Sequence, residues 1–342
     1  MTAKDCSAED IVRIPFGALQ STFQGILQSR GFSPPRATRC AFLVAENSLV
    51  GVASHGVNRF PRLVEWIDRK FLDVHAHPER TSSLGAVERW DGHLGPGPLN
   101  AERCMRRAMT LAGRNGIGCV ALANTNHWLR AGTYAWQAAR RGFAAICFTN
   151  TEPNLPPWGG CEPRLGNNPI TLAIPRADGR HVVFDGALSQ FSYGRIEQAA
   201  LLGEELPVIG GFDRAGRPTT QPGDILESQR ALPIGYWKGA GLSLLIDLLA
   251  ATLSGGQATV DLGALEAEYG VSQVFVAFAP RLFGTEAYDT VERALQALLA
   301  ADSEATADLR YPGERIERTK RENLARGVPV DARIWESVLA LE

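Results

Sequence analysis

At 342 residues and 45% hydrophobic content, the chain has ample apolar material for one large or two modest cores. Its formal net charge of -2 and isoelectric point near 6.3 give no basic footprint, which argues against a nucleic-acid partner or a general attraction to anionic membranes. No apolar run reaches the roughly 20 residues a bilayer span needs, and Met1 to Cys6 lacks the apolar core of a secretory signal, so the cytoplasm is the expected compartment.

Phe16, Leu19, Phe23, Ile26 and Leu27 recur at three- and four-residue spacing, and Ala41, Phe42, Val44 and Ala45 repeat the pattern after Ser33-Pro34-Pro35. The chain therefore opens with helices. They lead into a loop, Ser54-His55-Gly56-Val57-Asn58-Arg59-Phe60-Pro61-Arg62, that gathers an imidazole, a hydroxyl and two guanidinium groups around a glycine. An imidazole exchanges a proton near neutral pH, and a guanidinium holds a carboxylate through two parallel hydrogen bonds. This set suits a small anionic carbonyl compound. Ser54 either orients His55 or caps the backbone, Asn58 either binds substrate hydroxyls or only forms the turn, and Arg62 reads as a surface residue. His75 and His77 lack a third ligand at useful spacing and read as a solvated turn. Asp91 to Pro98 is turn-rich and precedes a helix from Asn100, and Pro96 and Pro98 break up any dinucleotide fingerprint there.

Gly118 to Ala123 and Ala144 to Thr149 read as buried strands around a helix from Gly132 to Arg141, with a polar loop carrying His127 after the first strand. Ile170 to Ile174 and His181 to Asp185 flank the Ala177-Asp178-Gly179 turn as a hairpin. A helix covers Ser192 to Leu202, a polar connection over solvated surface runs from Gly210 to Gln229, and an apolar helix opens at Gly239 and runs through Leu253. Val271 to Ala279 contains a strand, and the tail from Thr285 is helical and charged. The six cysteines, at 6, 40, 104, 119, 147 and 161, have no zinc-ligand spacing, so most are expected reduced and no metal site is expected. The pattern predicts an α+β fold, not a Rossmann fold, with a mixed, largely antiparallel sheet flanked by helices and a mainly helical part. The expected divisions are a helical domain at 1–80, an α+β cofactor and substrate domain at 81–285, and a C-terminal helical segment at 286–342.

Further motifs accompany the His55 loop: Asn124-Thr125-Asn126-His127-Trp128 followed by Arg130-Ala131-Gly132, then Pro156-Pro157-Trp158-Gly159-Gly160 and Gly166-Asn167-Asn168-Pro169. Phe191-Ser192-Tyr193-Gly194 and Gly235-Tyr236-Trp237-Lys238-Gly239 complete the set. In this order the chain resembles, along its whole length, the type 2 malate/L-lactate dehydrogenase family, and within it the branch that reduces 2,3-diketo-L-gulonate. The resemblance implies an NADH-dependent oxidoreductase that reduces a 2-keto sugar acid in the cytoplasm, as a homodimer with the site near the subunit contact. It also implies that the chain termini complete the helical part.

In that reading His55 is the proton donor, Arg59 holds the substrate carboxylate, His127 borders the nicotinamide and substrate pocket, and Ser54 and Asn168 contribute to substrate binding. Ser189 and Ser192 are further donors nearby, and Trp128 and Trp158 form walls or core. The cofactor segments correspond to His181, Val182, Val183, Phe184, Asp185, Gly186 and Ala187, to Trp237 and Lys238, and to Gly313, Glu314 and Arg315. Within the first, only Asp185, Gly186 and Ala187 are expected to touch ligand, the rest being core. The last segment departs from the family's Gly-His-Glu, inverting the local charge. Arg315 favours a 2′-phosphate and Glu314 opposes it, so NAD is expected with NADP as the other option. Malate, lactate, sulfolactate, ureidoglycolate and cyclic imine acids remain alternative substrates, and a non-catalytic dinucleotide or sugar-acid binding protein is the alternative of another class. A serine hydrolase lacks its Gly-x-Ser-x-Gly elbow.

Overall fold

In a computed structural model of the chain, residues 11–280, 284, 286–300 and 309–342 are described. The N-terminal stretch with Cys6, and Thr285 at the start of the charged tail, lie outside them.

Strand β1 (Ile11–Ile14) precedes α1 (Phe16–Ser29) and α2 (Pro34–Leu49). The His55 loop is wound into two 3-10 turns, Ala53–His55 and Val57–Arg59, and continues as α3 (Phe60–Asp68). Pro61 in the first turn of α3 is compatible with a helix start, because its missing N–H would have no intrahelical partner there. Leu19, Phe23, Val44, Phe60, Leu63 and Trp66 bury one another in this helical layer. The layer is closed by the other end of the chain: β11 (Val328–Asp331) pairs antiparallel with β1, and Val338 of α12 (Ala332–Leu339) joins the same core.

The main sheet is built from β2 (Glu79–Leu84), β3 (Val87–Asp91), β4 (Ile117–Thr125), β5 (Ala144–Thr149), β6 (Ile170–Ile174), β7 (Val182–Gly186) and β10 (Val271–Phe278). Its order is β2-β3-β4-β10-β5-β6-β7. The β3–β4 pair is parallel and the others are antiparallel. β10 therefore enters late in the chain yet lies between β4 and β5. Alternate residues of β10 face opposite layers. Phe275 and Ala277 pack with α4 (Gly97–Asn115) and α5 (Ala131–Ala139), while Val274 packs with Ile246 and Ala250 of α8 (Trp237–Ser254).

The fold is thus the expected α+β arrangement, with local differences. β2 is exposed along its length and shows no apolar alternation, so it carried no strand signal. α4 starts at Gly97, ahead of the expected Asn100, with Pro98 in its first turn. The Gly210 to Gln229 connection is not merely solvated. It contains a short hairpin of β8 (Gly211–Phe212) and β9 (Pro218–Thr219), then α7 (Pro222–Ser228), and Ile225 is fully buried against α6 (Tyr193–Leu201). At seven residues, α7 is too short for periodicity to distinguish it from a polar loop. The charged tail holds α10 (Glu286–Leu299) and α11 (Glu314–Arg326), and short α9 (Thr259–Leu262) precedes β10.

Glu88 on β3 is 1% exposed and accepts hydrogen bonds from Arg107, Arg80 and the Trp90 indole. The Arg107 hydrogen bond leads the causes that hold its carboxyl down at about 2, from 4.5. A depressed carboxylate stabilises the fold fully above its unfolded value, and that stabilisation disappears as pH falls from 4.5 through 2. Glu88→Ala, which leaves Arg107 unpaired, is expected to cost about 2–4 kcal/mol at neutral pH in urea denaturation, with the deficit shrinking in acid.

Candidate active site

The two histidine turns are brought together by polar residues at the end of α2. Asn47 is buried, donates to the His55 carbonyl at 2.8 Å, and accepts from Thr133 Oγ1 of α5 at 2.7 Å. Ser48 Oγ accepts from the Val57 N–H at 2.8 Å. Gly56 makes this approach possible, since a Cβ there would lie 2.2 Å from Ser48 Oγ. The second turn leaves β4 and is fixed by Asn126, whose amide donates to the Leu94 carbonyl, and by Gln273 of β10, which donates to the Asn126 carbonyl. Gly97 lets α4 press on this turn, because a Cβ would meet the Asn126 and His127 carbonyl oxygens within 2.3 Å.

The His55 and His127 rings lie 6.2 Å apart at 21°. Ser54 Oγ is 3.0 Å from His55 Nδ1. His127 Nδ1 accepts from the Leu129 N–H at 3.0 Å, so the neutral ring carries its proton on Nε2, which faces Glu268 Oε1 at 3.9 Å. Burial, followed by Arg59, holds His55 down at about 4, and burial, then Arg59, holds His127 well below its usual range. Both rings are neutral at pH 7 in this arrangement.

These groups line a cavity of about 890 Å³. Arg59 lies in it with its Nε buried and unpartnered and its guanidinium 5.6 Å from the Trp66 ring. Burial and then Arg62 lower the Arg59 pKa, while Glu268, Glu152 and Glu197 oppose that shift. Arg62 also lines the cavity, contrary to its reading as a mere surface residue, and lies 3.9 Å from Glu152. From the far wall come Asp185, Gly186 and Ala187 and, contrary to their reading as core alone, Val183 and the 42% exposed Phe184, with Ser189 and Ser192 beside them. Gly313 joins them across a long sequence gap because the Val183 N–H donates to the Pro312 carbonyl at 2.9 Å.

Other sequence candidates lie off the cavity lining. Asn168 is fully buried, with its amide donating to the Ser243 carbonyl and its oxygen accepting from the Thr151 N–H, so it braces the wall that Asn167 and Pro169 present. His181 is buried, its Nδ1 accepting from the Arg176 N–H, and Val182 lies beside it at the start of β7. Trp237 and Lys238 sit at the start of α8, where Trp237 is 64% exposed. Glu314 and Arg315 begin α11 next to Gly313 but do not line the cavity.

Sequence reasoning also passed over residues that line the cavity. Glu268 is buried with Oε1 unpartnered, and burial and then Glu152 raise its pKa. Arg130 is 7% exposed and pairs with Asp185 at 3.1 Å. Gly194, on α6, packs directly against Ser54. Arg130 and Gly194 stand inside the ordered sequence motifs, whereas Glu268 lies in an unpatterned segment before β10 and carries no local signal.

The site offers paired neutral imidazoles, an undercommitted guanidinium and an open wall, an arrangement suited to binding an anionic carbonyl compound and moving a proton at its oxygen. Residues 14–339 match the model of the malate/L-lactate dehydrogenase family, and the chain belongs to that family. It is an oxidoreductase acting on a CH–OH group, and a nicotinamide cofactor goes with the family. The chain is 41% identical over 334 residues to the 2,3-diketo-L-gulonate reductase of Klebsiella pneumoniae, covering 96% of this chain and 100% of that one. Among solved structures it is similar to malate dehydrogenase from Pyrococcus horikoshii, with 28% identity and a TM-score of 0.86 over 100% of this chain and 97% of that one. It is likewise similar to delta1-piperideine-2-carboxylate reductase from Pseudomonas syringae, with 26% identity and a TM-score of 0.87 over 97% of this chain and 100% of the other.

A histidine held neutral by its fold lets the unfolded chain take up protons first, so His55 makes stability fall with pH between 6.5 and about 4. Thermal midpoints measured from pH 7 to 4.5 should therefore drop less steeply for His55→Asn than for the parent chain.

Proposed function

We propose that the protein reduces a 2-keto sugar acid, 2,3-diketo-L-gulonate being the leading candidate, with NADH and with His55 as the proton donor. The observation that carries this reading is the His55–His127 pair beside an arginine whose Nε has no partner. The full-length similarity to a 2,3-diketo-L-gulonate reductase supports the choice of substrate.

A cavity of about 890 Å³ has room for a cofactor and a small acid together, at the upper end of ordinary ligand sites. Val183 to Ala187 and Gly313 are the residues that would hold the dinucleotide, whose reduced nicotinamide supplies a hydride. Arg59 binds the substrate carboxylate with two parallel hydrogen bonds, a geometry a lysine cannot reproduce. His127 donates from Nε2 to a substrate oxygen. The carbonyl oxygen receives its proton from His55, oriented by Ser54. The substrate carboxylate also neutralises Arg59, which otherwise depresses His55, so binding raises the imidazole's affinity for the proton it then gives up. Glu268 faces the same space with an acceptor and a raised pKa, and with Glu152 and Glu197 it disfavours a second substrate carboxylate while accepting from a hydroxylated chain.

A homodimer is part of the proposal. On α8, Leu242, Leu245 and Leu249 are 43%, 57% and 48% exposed, and Leu248 is 46% exposed, an apolar face that a second copy would cover. Trp237 and Lys238 begin this helix, so the cofactor role expected of them goes with the dimer. Residues 1–80 with the C-terminal strand and helix form the proposed helical domain, and 81–285 the cofactor and substrate domain.

The test is oxidation of NADH, and separately NADPH, with 2,3-diketo-L-gulonate, oxaloacetate, pyruvate and a cyclic imine acid. Turnover of the sugar acid, falling about 10²–10⁴-fold in His55→Ala, is expected. Dinucleotide binding without reduction of any of these acids would overturn the catalytic reading in favour of a binding protein. Arg59→Lys should raise KM for the sugar acid about 10- to 100-fold with a smaller change in kcat. Glu268→Gln should raise kcat/KM for oxaloacetate relative to the sugar acid; an unchanged ratio removes the selectivity role.

A further inference from the structure

A second cavity, of about 520 Å³, shares no lining residue with the first. It is framed by the first half of α2, the first half of α4 and the turn that follows α5, which contribute Arg36, Arg39, Arg103, Arg106 and Arg141. Among the lining residues these five guanidinium groups face one acid, Glu102, which Arg39 already holds through a bidentate pair, while Asp73 and Glu46 act on Arg36 and Arg39 from outside the lining without pairing with them. Arg36 is fixed in place by donating to the Val74 and Ala76 carbonyls and has no carboxylate partner. Arg103 lies over the Trp90 ring at 5.7 Å, and Arg141, just past α5, donates to the Gln137 carbonyl of that helix. Among the described residues no carboxylate pairs with Arg36, Arg103, Arg106 or Arg141.

That concentration of charge runs against the chain, whose net charge is -2. Like charges converging on one concavity repel one another, so the arrangement gains free energy when an anion enters. His77 responds to the same field. It lies 2.9 Å from Arg36 Nη1, and its pKa is lowered by burial first and then by Arg36 and Arg103. The α2 N-terminus adds the positive end of a 16-residue helix.

We propose that this cavity binds a phosphate group, free or as the monoester of a small metabolite. Phosphate fits better than carboxylate for two reasons. The guanidinium groups come from α2, α4 and the turn after α5 and so reach the cavity from separate segments, which suits a tetrahedral anion accepting on several sides, whereas a carboxylate is matched by one planar fork. Asn100, fully buried in the lining, also has an Oδ1 with no hydrogen-bond partner while its Nδ2 donates to the Gly92 carbonyl and Thr125 Oγ1. An acceptor of that kind is satisfied by an O–H, which a monoprotonated phosphate or a sugar hydroxyl carries.

Isothermal titration of the full chain with inorganic phosphate, and with glucose 6-phosphate, at ionic strength held constant with sodium chloride, tests this. One saturable site per chain is expected, weakened at least tenfold in Arg106→Ala/Arg141→Ala and retained in Arg59→Ala, which separates it from anion binding in the larger cavity. The ester binding more tightly than free phosphate assigns the site to a metabolite, and the reverse assigns it to phosphate itself. Both exposed arginines should be replaceable without loss of melting temperature or of dehydrogenase turnover. Heats that do not saturate, that survive in the double variant, or that vanish in Arg59→Ala overturn the proposal.

Discussion

The Asp185 carboxylate ties the sheet to the site. It accepts from Arg130 Nε and the Gly132 N–H, both at 3.1 Å, and from Thr171 Oγ1 at 3.1 Å. These three bonds join β7 and β6 to the start of α5, where a carboxylate also meets the positive end of the helix. Gly132 is required there, since a Cβ would lie 2.4 Å from Asp185 Oδ2. Through Arg130 the carboxylate steadies the turn that carries His127, and through Thr133 and Asn47 the same helix steadies His55. A charge on one strand thereby sets the separation of two imidazoles on different turns.

Electrostatics give that geometry its chemical direction. Burial and neighbouring guanidinium groups make protonated imidazole costly in the unliganded site, and buried Glu268 is disfavoured as an anion. The site is balanced for an incoming negative charge rather than for its own ionised groups. In the larger cavity acids temper the arginines, as with Glu152 near Arg62, whereas the smaller cavity leaves four guanidinium groups without such partners. The two concavities therefore differ in kind: one mixes acids with its arginines, the other is lined by arginines with a single acid.

The late strand β10 shows why local signals and global arrangement separate. Its apolar run is legible as a strand, but periodicity does not say which neighbours it has. Once it lies between β4 and β5, Gln273 reaches the Asn126 carbonyl and the segment just before it delivers Glu268 beside His127. Glu268 has no local signature because its importance comes from burial, which a sequence pattern of that length does not reveal. Ile225 has no sequence signature for a related reason: one buried aliphatic residue in a short helix is not a period.

What the sequence by itself determined was the set of elements with sustained periodicity, the α+β class, and the motif order that marks the dehydrogenase family. Those are consequences of local propensity and of side-chain types at fixed spacing, which the chain displays without folding. Only the tertiary structure decided that His55 and His127 face one cavity, that Gly313 reaches β7 while Trp237 and Lys238 stand apart at the exposed start of α8, and that Asn168 is braced inside a wall. It alone also gathered arginines from α2, α4 and the turn after α5 around the second cavity. Such facts depend on contacts between residues far apart in the chain, and the burial and pKa shifts that follow from them exist only once those contacts have formed.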